Sequence, residues 1–219
     1  MAEMRTEEEQ VAAIKSWWKE NGKSLVLTVA VVLAGVFGWK AWQQKQANDA
    51  EAASIIYQNL VQAVAISVQQ GAADDVTTAN HLGQQLKNDY DGSEYAKLGS
   101  MLLARIAVDQ KNYDAAMKEL NWVLENEPSQ EMTSVILMRK AQVYLAQGKP
   151  EEGLAELNKV SDEAFKAAAL ELSGDLQLAK GDKSAARKAY EQALLANSDS
   201  GSRQLLTIKL DDLAAEQEG

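Results

Sequence analysis

One stretch near the start of the chain carries no charged residue. Between Lys23 and Lys40 the sequence reads SLVLTVAVVLAGVFGW, sixteen residues that are nearly all apolar. Tryptophans lie before this stretch at positions 17 and 18, at its last residue, 39, and after it at 42. A helix over 23–42 rises about 30 Å, at about 1.5 Å per residue, which matches the apolar thickness of a bilayer, and tryptophan favours the two interfaces. The pattern therefore predicts one transmembrane helix over 23–42, in preference to a buried core helix.

Basic residues around this segment predict its orientation. Four precede it and two lie at or after its end: Arg5, Lys15, Lys19, Lys23, Lys40 and Lys45. Because cytoplasmic flanks are enriched in Lys and Arg, we expect the N-terminus in the cytoplasm and residues 43–219 on the other side of the membrane. In a bacterial envelope with two membranes, that describes a single-pass inner-membrane protein whose C-terminal domain is periplasmic.

Small residues follow one face of the predicted transmembrane helix. Ala30, Ala34 and Gly38 recur every four residues, and Gly35 lies beside them. Such a face lets a second helix approach closely, although alanine and glycine are also common in any spanning helix. Our hypothesis is that this face contacts another membrane subunit.

The residues before the span have a pattern of their own. Val11, Ile14 and Trp17 recur at helical spacing, and the pair Asn21-Gly22 is typical of a helix end. We therefore predict a cytoplasmic tail, residues 1–22, with a short amphipathic helix that ends at this pair and lies on the membrane surface.

After the span, helical patterns repeat at a regular interval. The segments NYDAAMKELNWVLENEP, KPEEGLAELNKV and DKSAARKAYEQALLANS align, with Ala116, Gly153 and Ala186 in the same place, 37 and 33 residues apart. Twelve residues before each of them lies another small residue: Ala104, Ala141 and Gly174. This spacing is typical of tetratricopeptide-like helix pairs, whose period is about 34 residues and whose helices cross closely at small side chains.

The predicted fold is therefore all-α: a single N-terminal transmembrane helix followed by a tetratricopeptide-like helical repeat solenoid. Within the domain 43–219 we expect a degenerate first repeat, three clearer repeats and a capping helix. Their expected boundaries are 47–95, about 97–130, 134–163 and 167–199, and 203–216 for the capping helix.

The first helices of stacked repeats line a concave groove, which places a set of candidate binding residues. They are Leu98, Met101, Arg105, Val108, Asp109, Val135, Met138, Gln142, Leu145, Glu171, Asp175 and Leu178. Flexible methionines suit adaptable apolar contacts, and the three acidic residues are expected to attract basic segments. The alternative is that several of the apolar residues pack between repeats instead.

Composition then limits the chemistry. The 219 residues include no cysteine and one histidine, His81, and the net charge is −10. Thiol chemistry and Cys- or His-rich metal sites are thereby excluded, and an acidic chain does not suit nucleic acid. No nucleophile with a base and no glycine-rich phosphate loop is found in the sequence. We expect no enzyme, cofactor or metal.

A cell-wall hydrolase is the remaining catalytic alternative, and it would have to use Asp109, Glu171 or Asp175, which do not share one repeat.

Particular motifs resemble a known family. They are QVAAIKSWWKENGK at 10–23, WKAW at 39–42, and ASIIYQNLV at 53–61, followed by degenerate repeats. Over nearly its whole length the chain resembles the YfgM family of bacterial inner-membrane proteins. The resemblance implies an ancillary subunit of the SecYEG translocon that works with PpiD, a membrane-anchored parvulin-like chaperone, and it implies no catalytic residue.

The expected function is thus a membrane-tethered interaction module that links the translocon to a periplasmic chaperone and assists translocated proteins. The alternative is a tetratricopeptide scaffold for cell-envelope assembly that is not tied to the translocon. Whether the groove binds unfolded translocated polypeptides or only the partner chaperone stays open at this point.

Overall fold

A computed structural model describes residues 7–70, 73–196 and 199–215, and the protein is helical throughout these ranges except for turns. The helices are α1 (Glu7–Gln70), α2 (Ala73–Asp89), α3 (Glu94–Asp109), α4 (Tyr113–Glu125), α5 (Gln130–Ala146), α6 (Pro150–Leu157), α7 (Lys166–Ala179), α8 (Lys183–Ala196) and α9 (Ser200–Ala215), with a short 3-10 helix at Glu163–Phe165. The all-α class is confirmed. The chain divides into two compact units, Met1–Ala52 and Ala53–Gly219.

The first unit contains the part of α1 that is rich in apolar residues, and these side chains are exposed. Val26, Leu27 and Val31 have 58%, 67% and 64% of their surface accessible. Of the helices in the described ranges, α1 is the one long and apolar enough to span a membrane, and none of its most apolar part is buried within the protein. The alternative of a buried core helix is therefore wrong, because a continuous apolar surface of this kind needs lipid or another protein to cover it.

One expectation about this unit is also wrong. We predicted a helix end at Asn21-Gly22, but α1 continues through both residues. The Asn21 Nδ2 donates a hydrogen bond of 3.2 Å to the carbonyl of Trp17, one turn earlier. A Cβ at Gly22 would lie 3.2 Å from the indole of Trp18, so the glycine lets that ring lie against the helix. These local contacts keep Asn21 and Gly22 in the helix, although asparagine and glycine often end helices.

The second unit contains three helix hairpins, α3–α4, α5–α6 and α7–α8. The small residues predicted at their close crossings are all buried: Ala104, Ala116, Ala141, Gly153, Gly174 and Ala186. A Cβ at Gly153 would lie 2.6 Å from a Leu176 methyl group, and the ring of Tyr190 covers Gly174. Because larger side chains would separate these helices, the small residues set the tetratricopeptide-like packing, which is confirmed.

The turn within each hairpin repeats one backbone arrangement. Lys111, Gly148 and Gly181 have positive φ angles of 59°, 70° and 88°. The N–H of the following residue bonds to the carbonyl five positions back, as in Asn112 to Ala107 at 2.8 Å and Asp182 to Gln177 at 2.9 Å. This Schellman arrangement ends each first helix. The three left-handed positions are 37 and 33 residues apart, the same spacing as the small residues.

Residues 47–95, which diverge most from the repeat pattern in sequence, still contribute to a core. Ala53 and Leu60 from the end of α1 pack in one buried cluster with Leu86 of α2 and Leu103 of α3. Gly83 lies 33 residues before Ala116. A Cβ at Gly83 would lie 2.6 Å from Leu103, so this glycine allows α2 to approach the next repeat much as Gly153 allows α6 to approach Leu176.

Helix α9 covers the apolar face of the last hairpin. Its Leu206 and Leu213 are buried in a cluster with Ala186, Tyr190 and Ala193 of α8. This packing is what a terminal capping helix provides in a solenoid, since the last repeat has no further repeat to bury its apolar face. The last residue of the predicted capping segment, 216, lies outside the described residues.

Candidate peptide-binding groove

A cavity of about 390 Å³ lies between α3 and α5, and Leu120 of α4 also lines it. Four of the predicted groove residues line this cavity: Met101, Arg105, Val108 and Gln142. The first three project from successive turns of α3 because they are three or four residues apart in the helix. We call this cavity the α3–α5 groove.

The floor of the α3–α5 groove is apolar and held in place. Ala104, Leu120 and Val143 line it while being only 4%, 2% and 4% exposed. They belong to a core cluster against which Met101 and Val108 also pack. The floor is therefore a preformed surface, with one flexible methionine at its edge.

Two arginines flank that floor, one from each helix. Arg105 of α3 lies 4.0 Å from the Asp109 carboxylate, and both side chains are mostly exposed, at 65% and 58%. Arg139 of α5 donates a hydrogen bond of 2.9 Å to the neutral amide oxygen of Gln142. Neither guanidinium is held by a buried carboxylate, so both keep donors that face solvent. We did not predict Arg139, although arginine is rare in this domain, with four after residue 45.

Other predicted groove residues lie elsewhere. Met138 and Leu145 pack against a second core cluster that contains Ala141, Leu157 and Leu176. These two residues therefore pack between repeats, which was the alternative to lining the groove. Three further residues do not line the α3–α5 groove: Leu98, Val135 and Leu178.

The acidic residues of α7 do not stand free. Lys209 of α9 bonds to Glu171 at 2.9 Å and to Asp175 at 2.7 Å. Asp175 also accepts a hydrogen bond of 2.7 Å from the Tyr190 hydroxyl. We expected Glu171 and Asp175 to attract basic segments from a partner, and this must be corrected, since a lysine of the chain itself already occupies both carboxylates.

This arrangement shifts the pKa values of Tyr190 and Lys209. Burial and the hydrogen bond to the Asp175 carboxylate raise the pKa of Tyr190 well above its usual range. Burial alone would lower the pKa of Lys209, but its bonds to Asp175 and Glu171 outweigh burial and raise it. Tyr190 therefore stays neutral and Lys209 stays positively charged at neutral pH.

Two buried ion pairs join helices of the second unit, one within a repeat and one between neighbouring repeats. Lys140 of α5 lies 3.1 Å from Glu156 of α6, and Lys87 of α2 lies 2.7 Å from Glu119 of α4. The two glutamates are each three residues after a small crossing residue, so they occupy equivalent places in their repeats. Burial would raise the pKa of Glu156, but hydrogen bonds from Lys159 and Lys140 outweigh this and lower it. In each of these buried pairs the lysine and the glutamate bond to each other. The pairs therefore stabilise the helices around the groove and do not point toward a ligand.

The small-residue face of α1 is open in the first unit. Among the residues that the structure describes, no atom apart from the adjacent backbone of α1 lies within 4 Å of the position that a Cβ would take at Gly35 or Gly38. Ala30 and Ala34 are likewise exposed. The face therefore has room for a second helix, as the hypothesis requires.

The catalytic alternative finds little geometric basis in the part of the chain that the structure describes. Asp109 is exposed beside Arg105, while Glu171 and Asp175 share Lys209. No group of three or more His, Asp or Glu residues in these ranges lies close enough to hold a metal ion.

Comparison with known proteins agrees with this architecture. A family model described as a tetratricopeptide repeat-like domain matches residues 15–215. A protein of Haemophilus influenzae named "Ancillary SecYEG translocon subunit" is 33% identical over 97% of this chain and 100% of its own length. Proteins of the same name from Aggregatibacter actinomycetemcomitans and Escherichia coli are 33% and 29% identical, over 97% and 95% of this chain and 100% and 97% of their own. The chain therefore belongs to the family of ancillary SecYEG translocon subunits that carry a tetratricopeptide repeat-like domain.

Proposed function

We propose that this protein is a membrane-anchored interaction subunit that associates with the SecYEG translocon. The observation that carries the proposal is the near full-length similarity to proteins named for that association. The exposed apolar part of α1 supports a single-pass inner-membrane anchor. The frame of helix hairpins supports a role in binding other proteins, since solenoids of this kind present extended binding surfaces.

The proposal includes an orientation, with the N-terminus in the cytoplasm and residues 43–219 in the periplasm. Four basic residues before the span against two at its end support this, since cytoplasmic flanks attract such residues. Paired fusions after Gly219 test it. Alkaline phosphatase should be active there and green fluorescent protein should stay dark, and the reverse pair of results would refute the orientation.

We further propose that the periplasmic domain contacts a membrane-anchored parvulin-like chaperone, PpiD, and through it assists translocated proteins. Anchoring beside the translocon raises the local concentration of the groove where polypeptides emerge, so even weak contacts are populated. An enzymatic role is not part of this proposal.

The decisive experiment is crosslinking in intact membranes, followed by purification of the full-length protein and identification of its partners. We expect translocon subunits and the chaperone to be enriched. Enrichment of cell-wall or division proteins in their place would favour the alternative, a scaffold for envelope assembly, and would contradict the proposal.

The membrane partner is proposed to dock on the small-residue face formed by Ala30, Ala34, Gly35 and Gly38. Replacing Ala34 and Gly38 by leucine should reduce recovery of translocon subunits severalfold, because added side chains separate closely packed helices. Val32→Phe with Val36→Phe, which adds bulk to the opposite face, is the matched control and should leave recovery unchanged. Equal recovery with both double variants would exclude this face.

A further inference from the structure

The α3–α5 groove combines an apolar floor with arginines on both walls, in a domain that is otherwise acidic. Residues 1–45 contain six basic and five acidic residues, so the remaining 174 carry a net charge of −11. Within this acidic domain, two of the four arginines line one cavity. The local charge of the groove is thus opposite to that of its surroundings.

We infer that the α3–α5 groove binds a polypeptide segment whose apolar side chains lie on the floor while acidic side chains on either side of them pair with Arg105 and Arg139. Charge complementarity selects this occupant over a basic segment. Two arginines from opposite walls favour an internal segment with carboxylates at both ends of an apolar stretch, because a chain terminus supplies only one.

The geometry of the two arginines supports this choice. Asp109 approaches Arg105 only at 4.0 Å and stays 58% exposed, so a partner carboxylate can replace or join it at little cost. Arg139 has a neutral partner, the Gln142 amide, and an incoming carboxylate offers it a stronger, bidentate bond. By contrast, the carboxylates of α7 are already bound to Lys209, which removes them as a site for basic peptides.

Binding of defined peptides to the full-length protein in lipid nanodiscs tests the inference. The probes are fluorescein-labelled peptides with one central stretch of Leu, Ile and Phe and flanks of Glu, Gln or Lys, each blocked at both ends. A fourth probe has Gln flanks and a free C-terminal carboxylate. Fluorescence anisotropy should show the Glu-flanked peptide binding about 5- to 30-fold more tightly than the Gln-flanked one, the sum of two exposed ion pairs, and the Lys-flanked peptide binding least.

Charge reversal provides the sharper test. Arg105→Glu with Arg139→Glu should invert the order, so that the Lys-flanked peptide binds best, and both side chains are exposed enough to change without unfolding the domain. Arg187→Gln, on α8 and outside the groove, is the matched control and should preserve the original order. Circular dichroism of each variant confirms that it is folded.

Three results would overturn the inference: equal affinity for all flanks, an order that charge reversal does not change, or tightest binding by the probe with the free C-terminus. The last would assign the arginines to a terminal carboxylate. The translocon is absent from this assay, so a failure here is distinct from a failure of the crosslinking experiment.

Discussion

Lys111 occupies a backbone conformation that suits glycine better than lysine. Its φ of 59° is in the left-handed region, and the equivalent positions in the next two hairpins are Gly148 and Gly181. A side chain in this region meets its own carbonyl oxygen, which costs about 1 kcal/mol. The first hairpin therefore contains local strain that the other two avoid.

We predict that Lys111→Gly raises the free energy of unfolding by about 0.5–1 kcal/mol, since relief of strain exceeds the added freedom of the unfolded chain. Urea unfolding of the detergent-solubilised protein, followed by far-UV circular dichroism, measures the change. Gly181→Ala is the opposite substitution at the equivalent site and should lower stability. A destabilised Lys111→Gly variant would contradict the account of the turn.

Glu156 illustrates how burial and pairing compete at a single residue. It is 7% exposed and receives bonds from Lys140 at 3.1 Å and Lys159 at 3.0 Å. Its pKa lies below the ordinary value of 4.5, because the two lysines outweigh burial. Its contribution to stability is therefore complete above pH 4.5 and is lost as the pH falls through the lowered value.

We predict that Glu156→Gln destabilises the protein by about 1–3 kcal/mol at pH 7, because Lys140 stays buried without a carboxylate. The difference from the unsubstituted protein should begin to shrink as the pH falls below 4.5 and should vanish below the lowered pKa, where Glu156 of the folded protein is itself neutral. Urea unfolding at a series of pH values gives this difference. Glu152→Gln, exposed on the same helix, should change stability by less than about 0.5 kcal/mol. A constant difference at all pH values would rule out the ion pair as the cause.

At the scale of elements, α9 is joined to the last hairpin by both apolar and polar contacts. Leu206 and Leu213 are buried against α8, and Lys209 bonds to two carboxylates of α7. The ammonium of Lys209 also lies 5.3 Å from the centre of the Tyr190 ring. One lysine thus connects α9 with both helices of the hairpin.

We predict that Lys209→Gln loosens α9 locally, since Glu171 and Asp175 would then repel each other. Hydrogen exchange in α9 should become about 3- to 10-fold faster, while exchange in α3 and α4 stays unchanged. Mass spectrometry of the full-length protein measures both regions. Lys188→Gln, at an exposed site on α8, is the control. Faster exchange throughout the domain would show that the lysine supports the whole fold and not α9 alone.

At the scale of the whole molecule, charge and apolarity are divided along the chain. The uncharged segment 24–39 lies in the first unit, whereas residues 46–219 carry a net charge of −11. Lipid solvates the uncharged apolar surface of the first unit, whereas water solvates the charged surface of residues 46–219. Membrane anchoring therefore depends on a short part of the sequence.

We predict that Val31→Lys with Leu33→Lys removes the protein from the membrane, because each lysine at the centre of a span costs about 2.5–3.5 kcal/mol. Carbonate extraction followed by immunoblotting should find the variant in the soluble fraction. Gln43→Lys with Gln44→Lys adds the same charge beyond the span and should stay in the membrane fraction. Retention of the first variant would mean that protein contacts, not lipid, hold the chain.

Local patterns in the amino-acid order were enough to predict the anchor and the helix pairs. A run of sixteen uncharged and nearly all apolar residues is most stable in lipid, and the small residues Ala116, Gly153 and Ala186 mark helix crossings because they recur at the repeat spacing. The sequence pattern did not identify Gly83 as a crossing residue. Its equivalence to Gly153 is visible only in the structure, where each glycine lies against a leucine of the next repeat.

Contacts between residues far apart in the chain determine which charged side chains are already paired and which face the cavity. Lys209 pairs with Glu171 across 38 positions, and Arg139 lies across the cavity from Arg105 because α3 and α5 line the same cavity. Periodicity places a residue on a face of its own helix, but which charges meet across helices depends on how the hairpins stack. For that reason the sequence alone placed Met101, Arg105, Val108 and Gln142 at this cavity, while the approach of Arg139 from the other side depended on the tertiary structure.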